Sequence, residues 1–175
     1  FAAGSFLGLC VYRVPRGISI VRPRSFCPHC KGTLNLRDLL PIVSPMLNKW
    51  RCRVCAGEIS RKDTAIEIVT VLVFFAVILS SDWDGRMVGK LVFALTLLPL
   101  IWIDWEILRI PSSILSLGTV GVLTASVLFD PGRVGSSVAA ALIALSLMMC
   151  VRAGGTLIFK RPALGTGDVK LSGFV

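Results

Sequence analysis

Two sets of residues in this 175-residue chain have the types and spacing to do chemistry. The first is Cys27-Pro-His-Cys30 and Cys52-Arg-Val-Cys55, two C-x-x-C turns with 21 residues between them. Each turn can aim two thiolates at one ion, and two turns complete the tetrahedron of a four-thiolate zinc site. The surrounding stretch, residues 13–63, has hardly any continuous apolar core, so a bound metal would supply folding energy there. A redox-active C-x-x-C and, with inverted topology, a disulfide set are the competing readings; one pair would suffice for redox work, and two are present. His29, between two ligands, is expected to face solvent. Cys10 and Cys150 lie in apolar stretches and read as ordinary buried thiols.

The second set is acidic. Asp104 and Asp168 each interrupt or open an apolar segment, and a carboxylate near hydrocarbon is costly unless it has a task. Brought together, two carboxylates can share one proton, one acting as base towards a water and the other as acid towards a scissile carbonyl. Gly165-Thr166-Gly167 precedes Asp168, and its glycines would allow a positive-φ turn close to a peptide substrate. The plainer reading makes Asp168 the N-cap of a helix. Glu67 is a third acid in an apolar segment, and Thr64-Ala-Ile-Glu67 fits a capping box, a reading placed ahead of a catalytic one.

The elements that must position these groups read as membrane spans. Hydrophobic residues make up 54% of the chain and charged ones 17%, and the mean hydropathy is +0.79, which excludes an ordinary soluble domain. The net charge of +9 is confined to one block. Eleven basic and two acidic residues lie between Arg13 and Lys62, and the rest of the chain carries eight of each. Short cytoplasmic loops collect Lys and Arg, which places this block inside the cell. It lacks aromatic platforms for bases, so no nucleic-acid partner is expected. A reducing interior also favours metal over disulfides.

Residues 1–12 are expected to be the tail of a first span, with Gly4 and Gly8 spaced to admit a neighbouring helix or there incidentally. Further spans are expected from Ala65 to Ser81, from Leu91 to Ile103 ending at Asp104, from Ser112 to Phe129, and from near Val138 to Phe159 with Arg152 at or near its end. A sixth opens around Asp168. Asp130 to Gly135 reads as a tight loop, and no internal repeat is evident. Alternation then puts Asp82–Lys90 and Asp130–Gly135 outside, and Asp104–Pro111 and Lys160–Asp168 inside with the basic block. Trp102 and Trp105 read as interface anchors. The expected layout is the end of a span at 1–12, a zinc-binding domain at 13–63, and a helical membrane domain at 64–175.

In order along the chain, Gly4-Ser-Phe-Leu, Tyr12-Arg-Val-Pro15, Ser19-Ile-Val-Arg-Pro-Arg-Ser25, the first C-x-x-C, Pro41-Ile-Val-Ser44, the second C-x-x-C, Ile59-Ser60 and Glu67-Ile-Val-Thr70 resemble the N-terminal signature of bacterial type IV prepilin peptidases. Ile103-Asp104-Trp-Glu-Ile-Leu-Arg-Ile-Pro111 resembles the first catalytic motif of these GxGD membrane aspartyl proteases, and Gly165-Thr-Gly-Asp168-Val-Lys170 resembles the second. The resemblance implies that Asp104 and Asp168 are the catalytic pair. It implies cleavage of prepilin or pseudopilin leaders after a Gly, and N-methylation of the new terminus from S-adenosylmethionine. It places the enzyme in the inner membrane of a type IV pilus or type II secretion system. Lys170 matches a motif lysine and could hold one carboxylate ionised. Ser112 departs from the family's usual Asp or Asn, and the resemblance implies further helix beyond Val175.

The expectation is therefore an all-α polytopic membrane protein with a small cytoplasmic four-cysteine zinc domain, acting as a leader peptidase among membrane lipid. A non-catalytic adaptor that binds an assembly partner through the zinc domain, and a membrane thiol oxidoreductase, are the alternatives from other classes. Substrate identity and oligomeric state stay open.

Overall fold

The computed structural model describes residues 2–22, 24–27, 29–34, 38, 43–161 and 164–175, without the side chain of Pro45. Phe1 of the expected first span, Pro23 and Pro28 of the N-terminal signature, and Pro41 and Ile42 of its next stretch lie outside the described residues. Seven α-helices are present among those described: α1 (Ala2–Arg13), α2 (Val43–Leu47), α3 (Arg61–Leu79), α4 (Arg86–Ile107), α5 (Ser112–Phe129), α6 (Pro131–Phe159) and α7 (Thr166–Ser172). The only β pairing among them is two isolated antiparallel bridges, Phe26 with Thr33 and Arg51 with Glu58. The chain forms two units, Phe1–Ser80 and Ser81–Val175.

In the first unit α1 packs on the N-terminal half of α3. Its buried stripe, Gly4, Leu7, Gly8 and Val11, has the spacing of one helix face. A Cβ at Gly4 would lie 2.9 Å from the Cα of Glu67, whereas one at Gly8 would meet nothing within 4 Å. Only the first glycine is therefore needed for close approach. Opposite lie the buried Thr64, Ile66, Glu67 and Thr70.

The capping-box expectation for Thr64 and Glu67 is corrected: α3 begins four residues earlier than the apolar run, and its N-cap is Ser60, whose Oγ accepts from the Lys62 amide at 3.2 Å. Thr64 and Glu67 sit inside the helix. The apolar pattern could not reveal this start, because the first turn is Arg61, Lys62 and Asp63, charged residues outside the stripe that packs on α1.

Arg13, the last residue of α1, is buried at 3% exposure. Its guanidinium donates to the carbonyls of Ser19 (2.8 Å) and Arg24 (3.4 Å) and lies 6.0 Å over the Phe26 ring. Between them the chain turns at Gly17, whose φ of +66° suits glycine. One buried cation thus folds the loop that leads from the helix to the first cysteine turn.

In the second unit α4 and α5 form a hairpin held by small residues. Gly118 of α5 packs directly on the Thr96 side chain of α4, and a Cβ at Gly121 would lie 2.9 Å from Val92. Pro99 is buried inside α4. Phe93 stacks on Phe174 with centroids 5.1 Å apart.

Two of the expected boundaries in this unit move. Helix α4 runs through Asp104 to Ile107, because one carboxylate on an exposed last turn does not end a helix. Helix α6 begins at Pro131, since proline at the first helical position loses no hydrogen bond; the expected loop from Asp130 to Gly135 shrinks to Asp130 itself. Asp130 pairs with Arg86 at 3.1 Å and Arg133 at 3.7 Å, so the charges of these connections neutralise one another.

Helices α4, α5 and α6 are long and apolar enough to cross a membrane. At 29 residues α6 extends roughly 44 Å, against about 30 Å of hydrocarbon. None of its residues is buried in the fold. Cys150 on it is exposed, which corrects its expected burial, while Cys10 is buried on α1. A helix with no buried face in water is the expected counterpart of one that faces lipid.

Candidate active site and metal centre

The four cysteines converge. Their Sγ atoms all lie within 4.8 Å of one another, and Cys27 Sγ to Cys55 Sγ is 3.8 Å, the edge of about 3.8 Å that a tetrahedron with zinc–sulfur bonds of about 2.3 Å requires. The two turns are built alike. In the first, the Cys27 amide donates to the Gly32 carbonyl and the Lys31 amide to the Cys27 carbonyl; in the second, the Cys52 amide donates to Gly57 and the Ala56 amide to Cys52. Lys31 and Ala56 hold matching φ angles of +55° and +54°. Each turn is closed by one of the two β bridges.

The shared pattern C-x-x-C-x-G is a short internal repeat that the reading of the sequence missed. Its glycines have a local reason. A Cβ at Gly57 would lie 2.9 Å from the His29 ring and 3.2 Å from Cys55 Sγ, and one at Gly32 would lie 3.4 Å from Cys30 Sγ. His29 is exposed, as expected, yet its ring is held across the cluster by a 3.0 Å hydrogen bond from Nε2 to the Glu58 carbonyl.

The donor set fits a soft divalent ion such as zinc: four thiols, no carboxylate, one geometry. Amide hydrogen bonds from Cys55 and Val54 draw the Cys52 thiol down to about 7. At Cys55 the Gly57 amide also pulls downward, but burial and the thiols of Cys30, Cys52 and Cys27 outweigh it and push the group up to about 11. A bound metal would let all four ionise.

The acidic pair occupies the second unit. Asp104 lies in the last turn of α4, and its carbonyl accepts the Leu108 amide at 2.8 Å, closing the helix on Leu108 at φ +51°. Asp168 is the third residue of α7. The N-cap is Gly165, so the capping reading of Asp168 is corrected. Both aspartates are exposed. Their segments meet: a Cβ at Gly167 would lie 3.1 Å from Ile110 Cβ, and Lys170 Nζ donates to Ser112 Oγ at 3.1 Å. No hydrogen bond joins the two carboxylates among the described residues.

The glycines of this motif serve room rather than turn conformation. Gly165 has φ −66° and Gly167 is helical, so the expected positive φ is absent. A Cβ at Gly165 would lie 3.0 Å from Asp168 Oδ2, which leaves the carboxylate folded over a bare backbone. Glu67, in the first unit, is buried between α1 and α3. Sequence reasoning missed Arg13, Gly32, Gly57 and Ile110 as positioning residues, and noted Ser112 only as a departure. The repeated glycine two residues after each C-x-x-C was the available signal for two of them.

Residues 1–81 match the bacterial peptidase A24 N-terminal domain, and residues 91–175 match the type IV leader peptidase family. A prepilin leader peptidase/N-methyltransferase of Myxococcus xanthus is 36% identical over 94% of this chain and 49% of its own length. Proteins of the same name from Bacillus subtilis (31%, over 96% of this chain and 66% of the relative) and Vibrio cholerae (30%, over 96% and 70%) are also similar. The chain thus spans about half the length of the Myxococcus relative and about two thirds of the other two. No solved structure matches it.

Proposed function

The chain belongs to the type IV leader peptidase family, and from that premise we propose that it is a membrane aspartyl endopeptidase that removes the leader of type IV prepilins or pseudopilins, with Asp104 and Asp168 as its catalytic pair. The observation that carries this reading is the adjacency of the two aspartate segments, through Gly167 against Ile110 and Lys170 against Ser112. Ile110 and Gly167 are 57 positions apart and need not meet in a bundle of helices, and here they do.

The chemistry is that of a shared proton. One carboxylate, ionised, takes a proton from a water whose oxygen attacks the carbonyl carbon of the scissile bond; the other, protonated, gives its proton to the carbonyl oxygen. The tetrahedral intermediate then collapses: the first carboxylate returns its proton to the nitrogen, the C–N bond breaks and the amine leaves, and the second carboxylate takes back a hydroxyl proton as the carbonyl re-forms. Lys170, tethered to Ser112, puts a positive charge on the helix that bears Asp168.

Topology supports the same reading. Asp104 lies near the end of α4, one of the three apolar helices, and Asp168 lies on the short helix that follows α6, and the concentration of Lys and Arg in residues 13–62 favours the cytoplasmic side of the inner membrane for that block. The substrate's basic leader would meet the enzyme there, and its apolar stem would lie among lipid and helices.

Cys27, Cys30, Cys52 and Cys55 would hold a structural zinc that stands in for the continuous apolar core that residues 13–63 lack. The relatives' N-methyltransferase names extend the proposal to methylation of the new amine from S-adenosylmethionine. No residue set of this chain is matched to that donor, and the cleavage chemistry does not need it.

Membranes bearing the protein, incubated with a full-length prepilin, test the proposal. The expected product is a pilin shortened by its leader, formed with the unmutated chain and absent with Asp104→Asn or Asp168→Asn.

A further inference from the structure

Beside the cysteine cluster the first unit carries a cleft of about 630 Å³ that nothing in the peptidase chemistry uses. Three of its lining residues are cations, Lys49, Arg51 and Arg61, and Glu58 is the one carboxylate among the described lining residues. Its floor is strained. Lys49 and Trp50 are consecutive non-glycine residues at φ +49° and +54°, a conformation that is an outlier for a bulky side chain and persists only where the surroundings enforce it. Hydrogen bonds do enforce it here: the Lys49 amide reaches Met46, the Arg51 amide reaches Asn48, and the Ile59 amide reaches the Trp50 carbonyl at 2.7 Å.

Trp50 lines the cleft as well. The Arg61 guanidinium stands 5.4 Å over its ring. Arg61 is also the first residue of α3, a 19-residue helix, so its amide end adds positive potential at the cleft. Cations from two segments and a helix start ask for one kind of ligand, an anion.

We propose that this cleft binds a phosphate group, seated among Lys49, Arg51 and Arg61 against Trp50. A dianion with several acceptor oxygens matches three separated cations better than a single carboxylate does. The basic leader of a prepilin would be repelled. Two sources carry the required chemistry, a free phosphate and the headgroup of an anionic lipid. The second suits the position, because the apolar run of α3 starts at Ala65, one helical turn beyond Arg61.

The test is binding, not cleavage, so it stands apart from the peptidase reading. Zinc-loaded full-length protein is placed in nanodiscs of phosphatidylcholine alone or with phosphatidylglycerol, and titrated with inorganic phosphate by 31P NMR and calorimetry. Saturable phosphate binding is expected in the neutral discs. It should weaken at least about tenfold in Lys49→Gln/Arg61→Gln, as loss of charge-assisted hydrogen bonds implies, with zinc content unchanged in the variant. Loss of phosphate binding in the phosphatidylglycerol discs would identify the lipid as the occupant; equal binding in both would identify a soluble phosphate. Absence of saturable binding in the neutral discs, or binding that the zinc-loaded variant retains in full, overturns the proposal.

Discussion

Lys170 Nζ donates to Ser112 Oγ across 3.1 Å, and this one hydrogen bond ties the helix that bears Asp168 to the start of the helix that follows Asp104. The two residues are 58 positions apart, and each lies within eight of an aspartate. If the pair positions the carboxylates, its loss should be felt in turnover rather than in substrate affinity. Ser112→Ala and Lys170→Met are each expected to lower kcat by about tenfold or more, the scale of one hydrogen bond to a charged group. KM should change little, and Ser112→Thr, which keeps the hydroxyl, should restore most of the rate. A purely structural role would instead lower the amount of folded protein and leave kcat per folded molecule intact.

The cysteine cluster should take up one zinc per chain, measured by metal analysis of purified protein. Its pH dependence follows from the sulfurs. Zinc binds thiolates, so protons compete with it, and affinity should rise with pH. Cys52 already loses its proton at about 7, so zinc displaces one proton fewer above that pH than below it. Cys55, pushed up to about 11, must still be deprotonated by the metal at neutrality. Calorimetry in buffers of different ionisation enthalpy counts the released protons on either side of pH 7. Cys→Ser at any of the four positions should abolish tight binding.

Arg13 is expected to matter more than its place at the head of a basic loop suggests. Replacing it by Met removes charged hydrogen bonds to the Ser19 and Arg24 carbonyls and should destabilise the loop by about 2–3 kcal/mol. Hydrogen exchange of residues 18–26 would then speed up, while that of α4 and α5 stays as it was.

Much of this architecture is legible in the residues themselves. Periodicity and composition mark the apolar helices, and the twin C-x-x-C turns announce the convergence of their four sulfurs by spacing alone. Ends of helices are less visible because they depend on local hydrogen bonds: Ser60 caps α3 from within a charged run, and Pro131 opens α6 inside what reads as a turn. Arg13 escapes notice for another reason, since nothing in a string of basic residues says which of them will be buried. The glycines of the second motif are visible as glycines but not for their purpose, which is clearance for Ile110 and the Asp168 carboxylate.

The α4–α5 seam gives a packing prediction. Gly118 sits against Thr96 with no space for a side chain, so Gly118→Val should lower the thermal midpoint in detergent through an overpacking cost of about 1–3 kcal/mol. Thr96→Gly in the same chain should recover part of that loss, and a double-mutant cycle would report the coupling.

The most direct test of the central claim is the mass of a membrane-embedded prepilin after incubation with this protein and S-adenosylmethionine, beside the Asp104→Asn and Asp168→Asn forms. The account predicts loss of the leader mass with the unmutated protein alone, with both variants folded, zinc-loaded and inactive; an added 14 Da on the new N-terminus, the mass of one CH2 by elementary arithmetic, would show methylation as well. Cleavage that persists at the unmutated rate in either variant would contradict the assignment of Asp104 and Asp168 as the catalytic pair.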